Sequence, residues 1–239
     1  MFIDNGKYLR LVEFEKMGIE AIYTHRGLGN VQDLHVRKQL LQDFDEKERI
    51  FISGRQTHSI NIVDLKDTDK IYFEDVDGYI TKRKDVMIFT QYADCLPIYF
   101  YDKVNEVIGI CHSGWKGSYD GIGIKLIELM KENYGTQNKD LIIAFGVGIS
   151  QKNYEVSEEF YTNFVNKYSE DILQRSFSKY LGKYFFDNQE FNYNLFLEFG
   201  IPRENIIKNE LCTYRENKFY SYRREKDGAG RNGGYIFFK

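Results

Sequence analysis

Along Tyr8-Leu9-Arg10-Leu11-Val12 apolar and polar residues alternate, the period of a half-buried strand, and Ile19 to Tyr23 reads as a second strand. The glycine-bearing turn Gly27-Leu28-Gly29-Asn30 follows. Leu34, Leu40, Leu41 and Phe44 then recur at helical spacing, predicting a helix from Asp33 to about Phe44. The middle of the chain consists of short apolar runs bounded by turns: Ile50 to Ile52, Ile60 to Val63, Val86 to Thr90, Ile98 to Tyr101 and Val107 to Cys111. Gly114-Trp115-Lys116-Gly117 leads from the last of these into a helical face of Ile122, Leu126, Leu129 and Met130. Leu141 to Phe145 is another strand, broken by Gly146-Val147-Gly148. Val156, Phe160, Phe164 and Val165 predict a helix, with Ser157 as its N-cap and Glu158 and Glu159 at its positive end. Phe191, Leu195 and Phe199 predict another, closed by Gly200 and Pro202. The tail from Lys218 to Phe238 reads as aromatic strand material around a loop rich in Gly and Arg.

Strands and helices are interspersed and no repeat or linker divides them. The expectation is therefore a single α+β domain spanning residues 1–239, with mixed sheets and flanking helices. Its 239 residues are enough to bury a core without disulfides. The net charge of −3 argues against a nucleic-acid partner. No run approaches the ~18 apolar residues of a membrane helix. The first residues lack the basic and apolar regions of a secretory leader. Three cysteines, odd and sparse, suit reduced thiols. These features predict a cytoplasmic protein without a membrane partner.

Imidazole chemistry must draw on His25, His35, His58 and His112. His112 ends a strand before a glycine turn, a place where ligand sites form in α/β folds. His58 lies in Arg55-Gln56-Thr57-His58-Ser59, ahead of an apolar run. His35 reads as a surface or capping residue within a helix, and His25 is divided evenly between a structural and a functional reading. Cys95 sits between two strands in Ala93-Asp94-Cys95-Leu96-Pro97, whereas Cys111 alternates with His112 and should face the core, as should Cys212. A His58, Cys95, His112 set could hold zinc and leave one position open. Spacing alone does not enforce it, because no CxxC or HxxxH pattern is present, and a buried cysteine with two structural histidines is the alternative. Ser113 to Gly117, running from strand to helix with Lys116 in it, offers backbone N–H groups for an anion; a tight turn that simply needs glycine is the competing reading.

Taken together, several segments resemble one family: Gln56-Thr57-His58-Ser59, Asp77 to Thr81, Thr90 to Pro97, His112-Ser113-Gly114-Trp115-Lys116-Gly117, Tyr154-Glu155-Val156, Cys212-Thr213-Tyr214, and Ser221-Tyr222-Arg223-Arg224 with Gly230-Arg231. This is the laccase-domain or multicopper polyphenol oxidase group, also described as YfiH-like and as zinc-dependent purine nucleoside phosphorylases. The resemblance runs in family order from about residue 20 to the end. It implies that His58, Cys95 and His112 are the metal ligands and catalytic centre. It implies phosphorolysis of adenosine, inosine, guanosine and methylthioadenosine, with adenosine deaminase activity beside it. Partners would then be purine nucleosides and phosphate, with the chain a monomer or homodimer. Asp94 is expected to orient a ligand, and Arg26, Arg55, Lys116 and Arg231 are the candidate substrate-binding cations.

Three other functions compete. A copper-dependent phenol oxidase would put copper, as alternative occupant, at the same residues, but four histidines cannot supply both a blue-copper site and a trinuclear cluster. A hydrolase acting on peptidoglycan precursors, with Cys95 as nucleophile and a histidine base, needs that thiol free of metal. A binding module without catalysis fits poorly with a three-ligand site that keeps an open position.

Overall fold

A computed structural model describes residues 1–46 and 48–239. The fold is α+β. One sheet has seven strands in the order Phe2–Asp4, Tyr8–Leu11, Ile19–Thr24, Asn232–Phe238, Val86–Tyr92, Ile50–Arg55, Tyr72–Glu74. A second has six: Ile206–Ile207, Leu141–Phe145, Leu96–Asp102, Val107–Ser113, Gly78–Thr81, Ile62–Asp64. Most neighbours run antiparallel. Ile50–Arg55 pairs in parallel with both of its neighbours, as do Ile62–Asp64 with Gly78–Thr81 and Leu141–Phe145 with Ile206–Ile207.

The two sheets pack face to face. Ile52, Ile88 and Ile236 of the first meet Tyr79, Tyr99, Ile108 and Ile110 of the second in one buried cluster. Alternation along each strand then sends the intervening residues outward. Met87, Phe89 and Tyr235 pack beneath the Leu34–Asp43 helix, where Leu40 and Leu41 are buried. Val107, Cys111 and Phe100 pack beneath Ile122–Tyr134 and Asn188–Glu198. The layers are therefore helix, sheet, sheet, helices. Central strands are covered on both faces, which is why they read as unbroken apolar runs rather than as alternation.

A small sheet of Glu155–Val156, Lys183–Phe186 and Phe177–Tyr180 closes a satellite core of Phe160, Phe164, Phe177, Phe186 and Phe191. Ser157 caps the Glu158–Val165 helix as expected, accepting from the Phe160 N–H.

Several expectations shift. The first strand ends at Leu11, and Val12 opens a short helix to Glu15. Leu34 opens its helix 58% exposed rather than joining the apolar face. The Ile60–Val63 run contributes a strand only over Ile62–Asp64. In the tail, only Asn232–Phe238 is strand; Tyr222–Glu225 is a helical turn within a long loop. Gly78–Thr81 and the Phe177–Phe186 hairpin were not anticipated. The first is just four residues, and the second exposes Ser178 to Gly182, so neither carries a clean alternation.

Candidate metal centre

Cys95 lies in the turn by which the chain leaves the first sheet at Tyr92 and enters the second at Leu96. Asp94 holds this turn in the left-handed region at φ +86°. Its carboxylate fixes that conformation by accepting from Thr213 Oγ1 and from the Arg223 N–H, both at 2.6 Å. Asp94 thus acts on Cys95 through the backbone and does not bond either imidazole, as a ligand-orienting carboxylate would.

That role falls to Asp77, a residue the sequence reading passed over although it opens one of the resembling segments. It is fully buried. Oδ2 accepts from the N–H groups of Thr57 (3.1 Å) and Ser59 (2.8 Å) and from Ser59 Oγ (2.8 Å). Oδ1 accepts from the His58 N–H at 3.2 Å and faces His112 Nδ1 at 2.7 Å. The His112 N–H donates to the Asp77 carbonyl at 2.7 Å. One carboxylate therefore wraps the loop that carries His58, itself at φ +62°, and fixes the His112 ring. A proton held on Nδ1 leaves Nε2 with its lone pair towards the cleft.

The potential ligand atoms of His58, Cys95 and His112 all lie within 4.8 Å of one another. Cys95 Sγ is 3.7 Å from His58 Nε2, against about 3.6 Å for sulfur and nitrogen sharing a tetrahedral zinc. Two imidazoles and a thiol form a donor set of the softness that zinc favours, and burial grades from His112 inward to His58 at the surface, so the cluster is approached from the His58 side. Gly114 makes this approach possible. A Cβ there would lie 2.6 Å from His58 Cδ2 and 3.2 Å from Cys95 Sγ.

Charge reinforces the arrangement. Burial opposes a thiolate, but the facing His112 and His58 outweigh it and pull the Cys95 thiol down. Burial also opposes charge on His112, but Cys95 and Asp77 outweigh it and push His112 up. For Asp77 itself, burial is outweighed by His112 and the surrounding donors, keeping it a carboxylate. A divalent cation held between Cys95 and His112 would have to displace the proton that these shifts favour there. Cys111, on the opposite face of its strand, is fully buried, and burial drives its thiol well up. Cys212 is also buried and accepts from Ser150 N and Oγ.

Two cavities meet at this cluster, sharing His58, Ala93, Cys95 and Tyr222. The larger, about 860 Å³, adds Trp115, Tyr154, Glu155, Arg223 and Lys226 among its walls. The smaller, about 350 Å³, adds Gln56, Gln91, His112 and Arg231. Of the four cations expected at the site, Arg231 alone lines either cavity. Arg55 is exposed and paired with Glu74 at 2.6 Å. Arg26 pairs with Glu225 at 2.6 Å and lies over the Tyr220 ring, bracing the loop that carries Tyr222 and Arg223. Lys116 is exposed on the five-residue Trp115–Tyr119 helix, its Nζ 5.6 Å from the Trp115 ring. Over Gly114–Gly117, where an anion cradle is expected, both glycines are buried and Gly114 packs against His58 and Cys95. The remaining histidines lie elsewhere: His25 is buried against Asp4 at 3.0 Å and accepts from the Gly27 N–H, while His35 is exposed. Arg223 and Tyr222 were legible only as members of the Ser221–Arg224 segment.

The fold and this cluster place the chain in a defined class. Residues 30–239 match the family model described as multi-copper polyphenol oxidoreductase laccase, and the chain belongs to that family. A relative from Borreliella burgdorferi named purine nucleoside phosphorylase is 44% identical over 173 residues, 72% of this chain and 73% of its own. The Bacillus subtilis purine nucleoside phosphorylase YlmD is 27% identical over 213 residues, covering 85% and 76% respectively. Among solved structures, the Bacillus licheniformis hypothetical protein YfiH superposes with a TM-score of 0.91 at 26% identity, covering 100% of this chain and 99% of that one. Geobacillus stearothermophilus YlmD shares the fold, with a TM-score of 0.89 at 23% identity and coverage of 99% and 98%. Among the described residues, no helix is long and apolar enough to cross a membrane.

Proposed function

We propose that this protein is a zinc-dependent purine nucleoside phosphorylase, with His58, Cys95 and His112 holding the metal. The observation that carries the reading is the convergence of these three donors, oriented by Asp77, at the junction of two cavities. The relatives named purine nucleoside phosphorylase support it. Bound zinc would supply a Lewis acid and, with one position open, a water of lowered pKa. The substrates proposed are adenosine, inosine, guanosine and methylthioadenosine, with adenosine deamination as a side activity. In phosphorolysis a phosphate oxygen bonds to C1′ as the C1′–N9 bond breaks. The bonding pair stays with the purine, which takes up a proton, and the products are free base and ribose 1-phosphate, or 5-methylthioribose 1-phosphate from methylthioadenosine.

The aromatic walls Trp115, Tyr154 and Tyr222 suit a purine, because stacking tolerates any base. A multicopper centre does not suit the donor set, since His25 and His35 lie away from His58 and His112. The test is a nucleoside panel assayed with and without phosphate, with products identified. Phosphate-dependent release of base with ribose 1-phosphate is expected. Release of free ribose at a rate independent of phosphate would replace phosphorolysis with hydrolysis.

A further inference from the structure

We infer that the smaller cavity is the subsite for inorganic phosphate and that Arg231 recognises it, leaving the larger cavity to the nucleoside. The assignment rests on the phosphorylase reading and adds where each substrate sits. Charge separates the two cavities. The larger is mixed, with Asp94 and Glu155 beside Arg223 and Lys226. Arg223 is also committed there, donating through Nη1 to the carbonyls of Asn153 and Glu155 and through Nη2 to that of Glu155 as well. The smaller has, among the described residues, no carboxylate in its walls, and its one guanidinium is Arg231. Arg231 bonds through Nη1 to the carbonyls of Ala229 and Gly230, which anchors the group and leaves its other N–H donors for an oxyanion.

The opposite wall is equally prepared. Gln56 is locked by two hydrogen bonds to the backbone of Gln91, its Nε2 donating to the carbonyl at 3.1 Å and its Oε1 accepting from the N–H at 2.8 Å. Gln91 itself contributes to this wall, with its Oε1 buried away from the cavity space. Phosphate suits a cavity walled in this way, because its P–O⁻ groups accept from the remaining N–H donors of Arg231 and meet no carboxylate among the described residues. The shared wall of Cys95, His58 and Tyr222 then puts phosphate directly beside a nucleoside held in the larger cavity.

The test is calorimetric titration of inorganic phosphate into the zinc-loaded protein and into Gln91→Glu, Arg231→Ala and Lys226→Ala, alongside phosphorolysis kinetics. Gln91→Glu is nearly isosteric and adds negative charge to a wall that carries no carboxylate among the described residues; circular dichroism checks that it is folded. It should weaken phosphate binding at least as much as Arg231→Ala, by roughly 10–100-fold for a lost charge-assisted contact. Lys226→Ala should bind phosphate as the parent does. In kinetics, Gln91→Glu should raise KM for phosphate and leave KM for inosine within about twofold. Phosphate binding by Gln91→Glu at parental affinity, or a rise confined to the inosine KM, would overturn the assignment. Hydrolysis without phosphate dependence would defeat the phosphorylase reading. The calorimetry would still decide the anion site, and absence of phosphate binding by the parent protein would overturn it.

Discussion

Replacing Asp77 with asparagine tests the centre most sharply, because shape is kept and only acceptor capacity changes. The carboxylate receives hydrogen bonds on both oxygens: the His58 N–H and His112 Nδ1 on Oδ1, and the Thr57 N–H, Ser59 N–H and Ser59 hydroxyl on Oδ2. Asparagine must turn an NH2 to one side. If it faces Thr57 and Ser59, two backbone donors lose their acceptor. Each buried donor left unsatisfied costs about 1–3 kcal/mol, so a loss of stability on the order of 2–6 kcal/mol follows. If it faces His112, the ring must accept at Nδ1, which moves its proton to Nε2 and removes the lone pair needed for a metal. Either way the His58 loop or the His112 tautomer is compromised. Metal affinity should fall roughly 10–100-fold, the range for losing a carboxylate that orients a ligating histidine. Competition with a chromophoric chelator measures the affinity, and urea unfolding of the metal-free protein measures the stability separately. An Asp77→Asn protein that is folded and binds zinc as tightly as the parent would refute the orienting role.

Cys95→Ser should lose most of its zinc while remaining folded, since the turn is held by Asp94 and not by the thiol; elemental analysis with circular dichroism checks this, and full zinc occupancy would reject the ligand assignment. Gly114→Ala should displace the His58 ring from a Cβ that would sit 2.6 Å from Cδ2, with a cost of about 1–3 kcal/mol and reduced metal affinity, read by thermal unfolding and chelator competition. Cys111→Ala should keep its zinc and lose about 1–2 kcal/mol, because this thiol is buried on the helix-facing side of its strand. At Asp4, partial burial is outweighed by the Gly6 N–H, His25 and Lys218, lowering the carboxyl from 3.8 to about 2. A lowered folded value means that the stabilisation is present above the unfolded value and lost as pH falls from about 4 towards 2. Asp4→Asn should therefore flatten the acid limb of stability across that window in urea titrations, and an unchanged limb would count against the Asp4 contribution.

Local patterns carried much of this molecule. The Val86–Tyr92, Leu96–Asp102 and Val107–Ser113 strands were readable because burial on both faces leaves unbroken apolar runs. The opposite facing of Cys111 and His112 followed from strand alternation alone. Ser157 as a cap was equally local, since its partner lies three residues on. The same logic is less informative at Gly114. A strand entering a helix through glycines looks like a phosphate cradle, whereas here the glycine also makes room for His58 and Cys95, which press against it from distant segments.

From the sequence by itself came the class of fold, the candidate thiol and imidazoles, and the exclusion of a multicopper cluster by counting histidines. Spacing left the convergence of His58, Cys95 and His112 open and only the family resemblance implied it; tertiary structure brings the three together, since the two sheets must pack before these segments meet. It also singled out Asp77 from 36 acidic residues, a choice visible only when a loop and a neighbouring strand close around one buried carboxylate. Which cations face the cleft was decided in the same way. Arg26 and Arg55 find acidic partners elsewhere, and the Asn232–Phe238 strand, inserted between Ile19–Thr24 and Val86–Tyr92, brings Arg231 from the far end of the chain to the site. Charge type is written in the sequence, but its pairing is a matter of distances that only long-range packing sets.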